Sequence, residues 1–300
     1  MKKITLLLVG MLLALTGCNN EFSGETDNTI TTKYVDTITH VNGSTIALDY
    51  DENMRISRVT YTDALDASLS CQYDITYNID TTNLATITFE VSYGGNKYLM
   101  NFNEYSGLKS YSLDGEIPQV LSTFNYCISK PNYILGAMRL ELIGVADKIG
   151  GGEIKRIDWQ SSVPAMVLSE QTVEEEGVMY DYSSTVRYGY SAYRSNIHAN
   201  VNFFVLISPE FLQYSNIPTE LAACVSVFGS RSYYLPTDIT IVKGRMPIGG
   251  NYEKISETDY DYSYDTDSEG YILKIYTGKD DNNTKELLYS ITYLDKTSAE

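Results

Sequence analysis

Residues 35–59 read VDTITHVNGSTIALDYDENMRISRV, and the way this stretch pairs with itself decides the fold. Asn42-Gly43 divides two runs in which apolar and polar residues alternate. Period two is the pattern of a half-buried strand, and Asn-Gly is the preferred pair for a two-residue type I′ turn. Counting outward from that turn predicts Val41 opposite Ser44, Thr39 opposite Ile46, Thr37 opposite Leu48 and Val35 opposite Tyr50. Those residues would share the apolar side, leaving Asp36, Ile38, His40, Thr45, Ala47 and Asp49 on the other. A second tight turn, DENMR at 51–55, then leads into a further strand.

The alternation continues along the chain. ATITFEVSYGGNKYLMNF (85–102) has two arms joined at Gly94-Gly95, and the run 165–190 turns near Glu176-Gly177. SNIHANVNFFVLI (195–207) is expected as a strand with Ile197, Ala199, Val201, Phe203, Val205 and Ile207 on one side. TDITIVKG (237–244) and KELLYSITYL (285–294) complete the set. Helix is expected to be minor: residues 132–150 carry a helical spacing that also alternates like a strand, and SPEFLQY from Ser208 starts like a short helical turn. Three stretches share a tight turn followed by isoleucine, one variable residue, a base, and Ile or Val. They are DENMRISRV (51–59), GGEIKRI (151–157) and DSEGYILKI (267–275). The last follows Asp265 and so contains alternating acids, Asp265, Asp267 and Glu269, as a calcium loop does. A calcium loop needs a bidentate glutamate at its twelfth position, which here is Tyr276, so the acids are read as turn formers. The fold expected is all-β with minor helix: a strongly curved antiparallel sheet or partly open barrel built from successive hairpins. It would occupy residues 33–300 as one domain, with any sub-boundary falling near 150.

The start of the chain is of another kind. Lys2 and Lys3 precede an apolar run of about a dozen residues, too short for a permanent span of roughly 20 and right for a secretory signal. Its end, Leu15-Thr16-Gly17-Cys18, resembles the lipobox of bacterial lipoproteins. That resemblance implies removal of a signal peptide, 1–17, and diacylglycerol and palmitate attached at Cys18, since two or more chains are needed for stable anchoring. Residues 18–32 are small and polar and read as a flexible tether. Residue 19 is Asn rather than Asp, which favours the outer membrane and leaves the periplasmic face and the cell surface both open.

Without Lys2 and Lys3 the 22 basic residues become 20 against 39 acids, a formal charge of −19. Such a surface repels phosphate backbones, so nucleic acid is excluded as a partner. Cys71, Cys127 and Cys224 sit near apolar neighbours without metal or redox spacing, and read as core residues, a single disulfide being the alternative. No nucleophile, metal or cofactor motif is present, so no catalytic residue, metal or cofactor is assigned. Neither histidine reads as a base: His40 belongs to the polar side of its hairpin, and His198 alternates with Asn196, Asn200 and Asn202. That row of four hydrogen-bonding side chains is the candidate ligand-binding feature, and an exposed polar face is the plainer reading of it. Tyrosine is abundant, 27 against 8 Phe and 1 Trp, as suits cross-strand ladders on half-wet sheet faces.

Tyr50-Asp51 with its turn and base-containing strand also resembles a family of gut-anaerobe outer-membrane lipoproteins of unknown function. The turn usual in that family is a variant of Tyr-Asp-x-x-Gly-Arg-Ile; here Met54 replaces the glycine, and Tyr271 replaces the arginine in the C-terminal copy. The resemblance implies a porin-like β fold and brings no catalytic residues. The function expected is a non-enzymatic, lipid-anchored envelope protein that binds a hydrophobic or amphiphilic ligand in its curved sheet. The alternatives are a glycan-binding accessory of nutrient uptake, a structural or adhesive partner of an envelope protein, and, last, a carbohydrate-active hydrolase.

Overall fold

The computed structural model describes residues 33–79, 87–102, 108–115, 119–128, 133–139, 152–160, 163–190, 194–195, 199–208, 215–225, 234–278 and 285–294. The first half of the chain supplies β1 (Val35–His40), β2 (Thr45–Tyr50), β3 (Ile56–Thr62), β4 (Cys71–Ile79), β5 (Ile87–Tyr93), β6 (Asn96–Phe102), β7 (Leu108–Leu113), β8 (Gln119–Ile128) and β9 (Tyr133–Arg139). The second half supplies β10 (Gly152–Gln160), β11 (Val163–Glu175), β12 (Val178–Gly189), β13 (Arg194–Ser195), β14 (Tyr234–Leu235), β15 (Asp238–Pro247), β16 (Glu253–Thr266), β17 (Ile272–Thr277) and β18 (Glu286–Tyr293). Two short helices, α1 (Phe203–Ile207) and α2 (Thr219–Cys224), lie between β12 and β15.

All the strands except β13 and β14 form one antiparallel ring in which sequence neighbours pair; β12 pairs directly with β15, and β18 returns to β1. The all-β expectation of successive hairpins holds, and the sheet goes on to close upon itself. Closure removes both sheet edges. Residues 132–150, left between helix and strand by their spacing, are strand β9 over 133–139, and the rest lie outside the described residues. Residues 209–214, most of the expected helical turn, also lie outside them.

The first hairpin is a correction. Its loop has three residues, with Thr39 facing Thr45, Ile38 facing Ile46 and Thr37 facing Ala47. The amide of Gly43 donates to the His40 carbonyl at 2.9 Å, and Gly43 alone in the loop has positive φ, at 91°. This is a turn closed by a left-handed glycine rather than the two-residue type I′ form, which requires positive φ at both positions. One residue of slip turns a strand over. Ile38 and His40 therefore point inward and Thr37 and Thr39 outward, while a bulge between Val35 and Thr37 returns Val35 to the core.

The shared Ile-x-base-Ile/Val pattern has a structural meaning. In all three copies the variable residue is skipped by the ladder: Ser57 between partners Ile56 and Arg58, Leu273 between Ile272 and Lys274, and Lys155 between Ile154 and Arg156. Each is a β-bulge, which adds one residue to one strand. The two branched residues three positions apart can thus both enter the core, as Ile56 with Val59, Ile272 with Ile275 and Ile154 with Ile157 do, while the base stays outside.

Across β2 to β6 the outer wall carries charged and polar side chains. One row of direct partners around it reads Asp49, Arg58, Asp74, Ser92 and Lys97. Arg58 bridges to Asp74 at 2.6 Å and approaches Asp49 at 3.9 Å.

Inside, a barrel of this strand number leaves a wide lumen. The described parts of the segment between β12 and β15, residues 199–208 and 215–225, enter it. Every residue of α1 is buried, and so are Leu221, Ala222, Ala223 and Cys224 of α2. Tyrosines from around the wall reach in to hold it. Tyr188 on β12 meets the Ser208 hydroxyl at 2.6 Å, Tyr262 on β16 donates to the Ile207 carbonyl, and Tyr73 on β4 donates to Glu220. A ring spans a gap an aliphatic side chain would leave, and its hydroxyl satisfies a buried acceptor at the far end. The tyrosine ladder expected on exposed faces exists, but inside: Tyr93, Tyr98 and Tyr111 stack at 4.3 and 5.4 Å across β5, β6 and β7.

Candidate functional site

Because neighbouring strands are antiparallel, their connections alternate between the two ends of the barrel. The turns at 51–55 and 267–271 share an end with Lys33, the first described residue, and with the entry of the plug. The β1–β2 turn and the loop 63–70 share the other end, and there a cavity of about 260 Å³ opens between the wall and the plug. We call this end the mouth.

Its floor is apolar: Ile38 and Ile46 come from the first hairpin and Leu206 from α1. Its sides are polar. His40, Asn42 and Ser44 surround the first turn, Tyr61 comes from β3 and Tyr289 from β18, and the plug contributes Thr219 and Glu220 at the start of α2. Pairing sets the wall: His40 is directly opposite Tyr289, with ring centroids 5.1 Å apart in an edge-to-face arrangement. Ser44, buried at 4% exposure, accepts the Ala64 amide and so ties the β1–β2 turn to the loop 63–70. In that loop Asp63 takes the Tyr61 hydroxyl at 2.7 Å and the amides of Leu65 and Asp66. The hydroxyl hydrogen bond, with those amides, holds the Asp63 carboxyl below its ordinary range.

Glu220 stands where plug and wall meet. Tyr73 donates to its Oε1 at 2.5 Å, and the Cys71 thiol donates to the Tyr73 oxygen at 2.9 Å. Burial above all, then the bond to Cys71 and the neighbouring carboxylate, pushes the Tyr73 phenol far up. Burial likewise raises the Cys71 thiol, which is therefore a poor nucleophile. Burial, reinforced by Tyr61 and Glu220, pushes Tyr289 up to about 12. The cavity walls are thus hydrogen-bonding phenols and one carboxylate around an apolar floor, suited to holding a molecule.

The residues singled out from sequence fall elsewhere. Asn200 and Asn202 are buried at 5% and 8% exposure in the plug, and Asn196 and His198 lie outside the described residues. Asn200 closes a latch: its Oδ1 accepts the Val35 amide at 2.9 Å, its Nδ2 donates to the Tyr50 hydroxyl at 2.7 Å, and that hydroxyl donates to the Val35 carbonyl. Beside it, Lys33 and Ala199 form a parallel bridge. The strand expected over 195–207 is not continuous, because residues 203–207 are α1. Phe204 and Leu206 are apolar on the supposedly polar parity, the mark of a segment buried all round rather than on one side. His40 was assigned to the polar side and instead lines the cavity, for the one-residue reason given above. Neither Cys71 nor Cys224 is in a disulfide; Cys224 is buried in α2 and Cys71 partly buried, and the side chain of Cys127 lies outside the described residues. Asp267, the acid of the supposed calcium loop, accepts the amides of Glu269 and Tyr271 and the Lys33 ammonium.

No family model matches the chain, and no curated protein matches it in sequence. In fold it is similar to a porin-like protein from Bacteroides vulgatus ATCC 8482, with a TM-score of 0.55 and 14% identity over 87% of this chain and 99% of that one. It is also similar to a porin-like protein from Bacteroides uniformis ATCC 8492, with a TM-score of 0.52 and 14% identity over 88% and 100%. The porin-like β fold read from the Tyr-Asp turns is therefore the fold of this chain.

Proposed function

We propose that this chain is a non-enzymatic, lipid-anchored envelope protein that holds a small amphiphilic molecule at the mouth of its plugged barrel. The observation that carries the reading is the cavity of about 260 Å³ with an apolar floor of Ile38, Ile46 and Leu206 beneath polar sides. It lies at the low end of ligand-site volumes and suits a molecule of about a dozen heavy atoms or fewer. A larger hydrophobic ligand inside the sheet is not part of this reading, because the plug occupies the described lumen. Exposed Val41, Leu65 and Leu69 on the adjoining loops give such a ligand an apolar approach.

The anchor belongs to the same proposal. The lipobox-like Leu15-Thr16-Gly17-Cys18 supports diacylglycerol and palmitate at Cys18, and Asn19 favours the outer membrane. The porin-like neighbours support a membrane-associated β protein. With charge on the described outer wall, the anchor rather than the barrel would hold the protein to the bilayer. Labelled palmitate supplied to the host should enter the protein and be lost in Cys18→Ser. Native mass spectrometry of the protein purified from its own envelope should find a bound small molecule. Thr219→Trp, which fills the cavity from its rim, should release that molecule and leave the melting temperature of the ligand-free protein unchanged. A protein that carries nothing, and whose melting is indifferent to every small amphiphile offered, would rule the binding reading out.

A further inference from the structure

Among the described residues that line the mouth cavity, Glu220 is the one carboxylate, His40 is the one imidazole, and there is no lysine or arginine. Glu220 accepts hydrogen bonds from a neutral phenol and approaches a neutral thiol, Tyr73 at 2.5 Å and Cys71 at 3.8 Å. Among the described residues, no lysine or arginine nitrogen lies within 4 Å of it. Elsewhere the wall acids Asp51, Asp74, Glu90, Asp267 and Glu175 each have a cation within that distance. A carboxylate in a partly desolvated site is poorly compensated by neutral donors alone. Two of the other lining groups favour positive charge as well. Tyr61 and Tyr289 offer aromatic rings, and His40 is set edge-on to Tyr289. Asp63 stands just behind Tyr61, and the chain as a whole carries −17.

Resting on the binding reading above, we infer that the ligand is a small organic ammonium ion, its charged nitrogen at Glu220 and its hydrocarbon body on Ile38, Ile46 and Leu206. The carboxylate supplies a charge-assisted hydrogen bond, and the phenol rings supply their negative faces. Electrostatic attraction to an acidic protein brings such an ion in and turns anions away.

Ligand-observed NMR titrations of the full chain with n-butylammonium, n-butanol and butyrate test this. These probes share a hydrocarbon length and differ in charge. Butylammonium should bind at least about tenfold more tightly than butanol, the scale of one hydrogen bond to a charged group, and butyrate should not bind. Glu220→Gln keeps an acceptor for Tyr73 and should bring butylammonium down to the level of butanol. Tyr289→Leu, an independent check should the first variant fold poorly, should weaken butylammonium about two- to fivefold and leave butanol unchanged. Equal binding of butylammonium and butanol by the wild type would overturn the cation inference and leave the pocket standing. Binding of none of the three, with no ligand on the native protein, would overturn both.

Discussion

The turns at 51–55 and 267–271 are two copies of one device. In each, an aspartate amide donates to the carbonyl four residues on, at 2.8 Å in Asp51–Arg55 and 3.0 Å in Asp267–Tyr271. In each, its carboxylate oxygen accepts two further amides, from Asn53 and Arg55 in one and from Glu269 and Tyr271 in the other. The fourth residue is left-handed in both, Met54 at φ 57° and Gly270 at 89°. They differ in where the balancing cation comes from. Asp51 takes it from Arg55 within its own turn, and that guanidinium also lies 4.6 Å from the Tyr77 ring. In the other copy residue 271 is tyrosine, and the charge arrives from Lys33, which reaches Asp267 at 2.6 Å and Glu269 at 2.7 Å and lies 4.3 Å from the Tyr271 ring. One turn is self-contained. The other gives up its local base and in exchange fastens Lys33, just ahead of β1, to the barrel.

Removing either aspartate carboxylate is the largest break. Asp51→Ala and Asp267→Ala each strand two turn amides and a cation, and each should destabilise by about 2–3 kcal/mol in denaturant titrations. Acid should do the same reversibly. Burial would raise each carboxyl, but hydrogen bonds from Arg55 and its amide at Asp51, and from Lys33 and the Tyr271 amide at Asp267, more than offset it and leave both below the ordinary value. A depressed carboxylate contributes stability that is complete above its unfolded value and is lost as pH falls through the folded one. The melting temperature should therefore drop as pH is lowered from about 5 towards 2, and the fall should be shallower in the Asp51→Asn, Asp267→Asn double variant.

Exchanging the left-handed residues gives a smaller and opposite pair of effects. Nothing lies within 4 Å of a Cβ built on Gly270, so Gly270→Ala should cost about 1 kcal/mol through backbone conformation alone. Met54→Gly should stabilise by about 0.5–1 kcal/mol, since methionine holds the left-handed form at a cost. An equal loss from both substitutions would mean that the Met54 side chain earns its place by packing. The smallest effect should be Lys33→Ala: under about 1 kcal/mol globally, as for a partly exposed pair, but with faster hydrogen exchange at 33–36. Arg55→Ala should leave exchange at 33–36 unchanged, which separates clamp from turn.

Much of the wall was legible because each local rule had a single outcome. Alternation named the strands, and the shared Ile-x-base-Ile/Val pattern marked three tight turns, while the bulges behind it showed only in the strand pairing. The first hairpin failed on turn chemistry: Asn42-Gly43 serves a two-residue loop and a three-residue loop equally well, and only the pairing of Ile38 with Ile46 selects the second. His40 and the cavity changed sides with that choice. The plug was hidden for another reason. A segment enclosed on every side has no wet face to create periodicity, so Phe203–Ile207 imitates a strand for as long as only alternate residues are counted. Glu220, one acid among 39, is distinguished by three-dimensional neighbours that its sequence neighbours do not foretell.

The seam between β1 and β18 has a consequence for how the molecule comes into being. Ile38 meets Ile291, and the Leu294 amide donates to the Tyr34 carbonyl, so the first and last strands of the chain are adjacent. β18 must be synthesised before the circle can be shut, and until then two raw borders stay available to any passing chain. A product that stops short of Glu286 would lack the closing stave and should be recovered as aggregate.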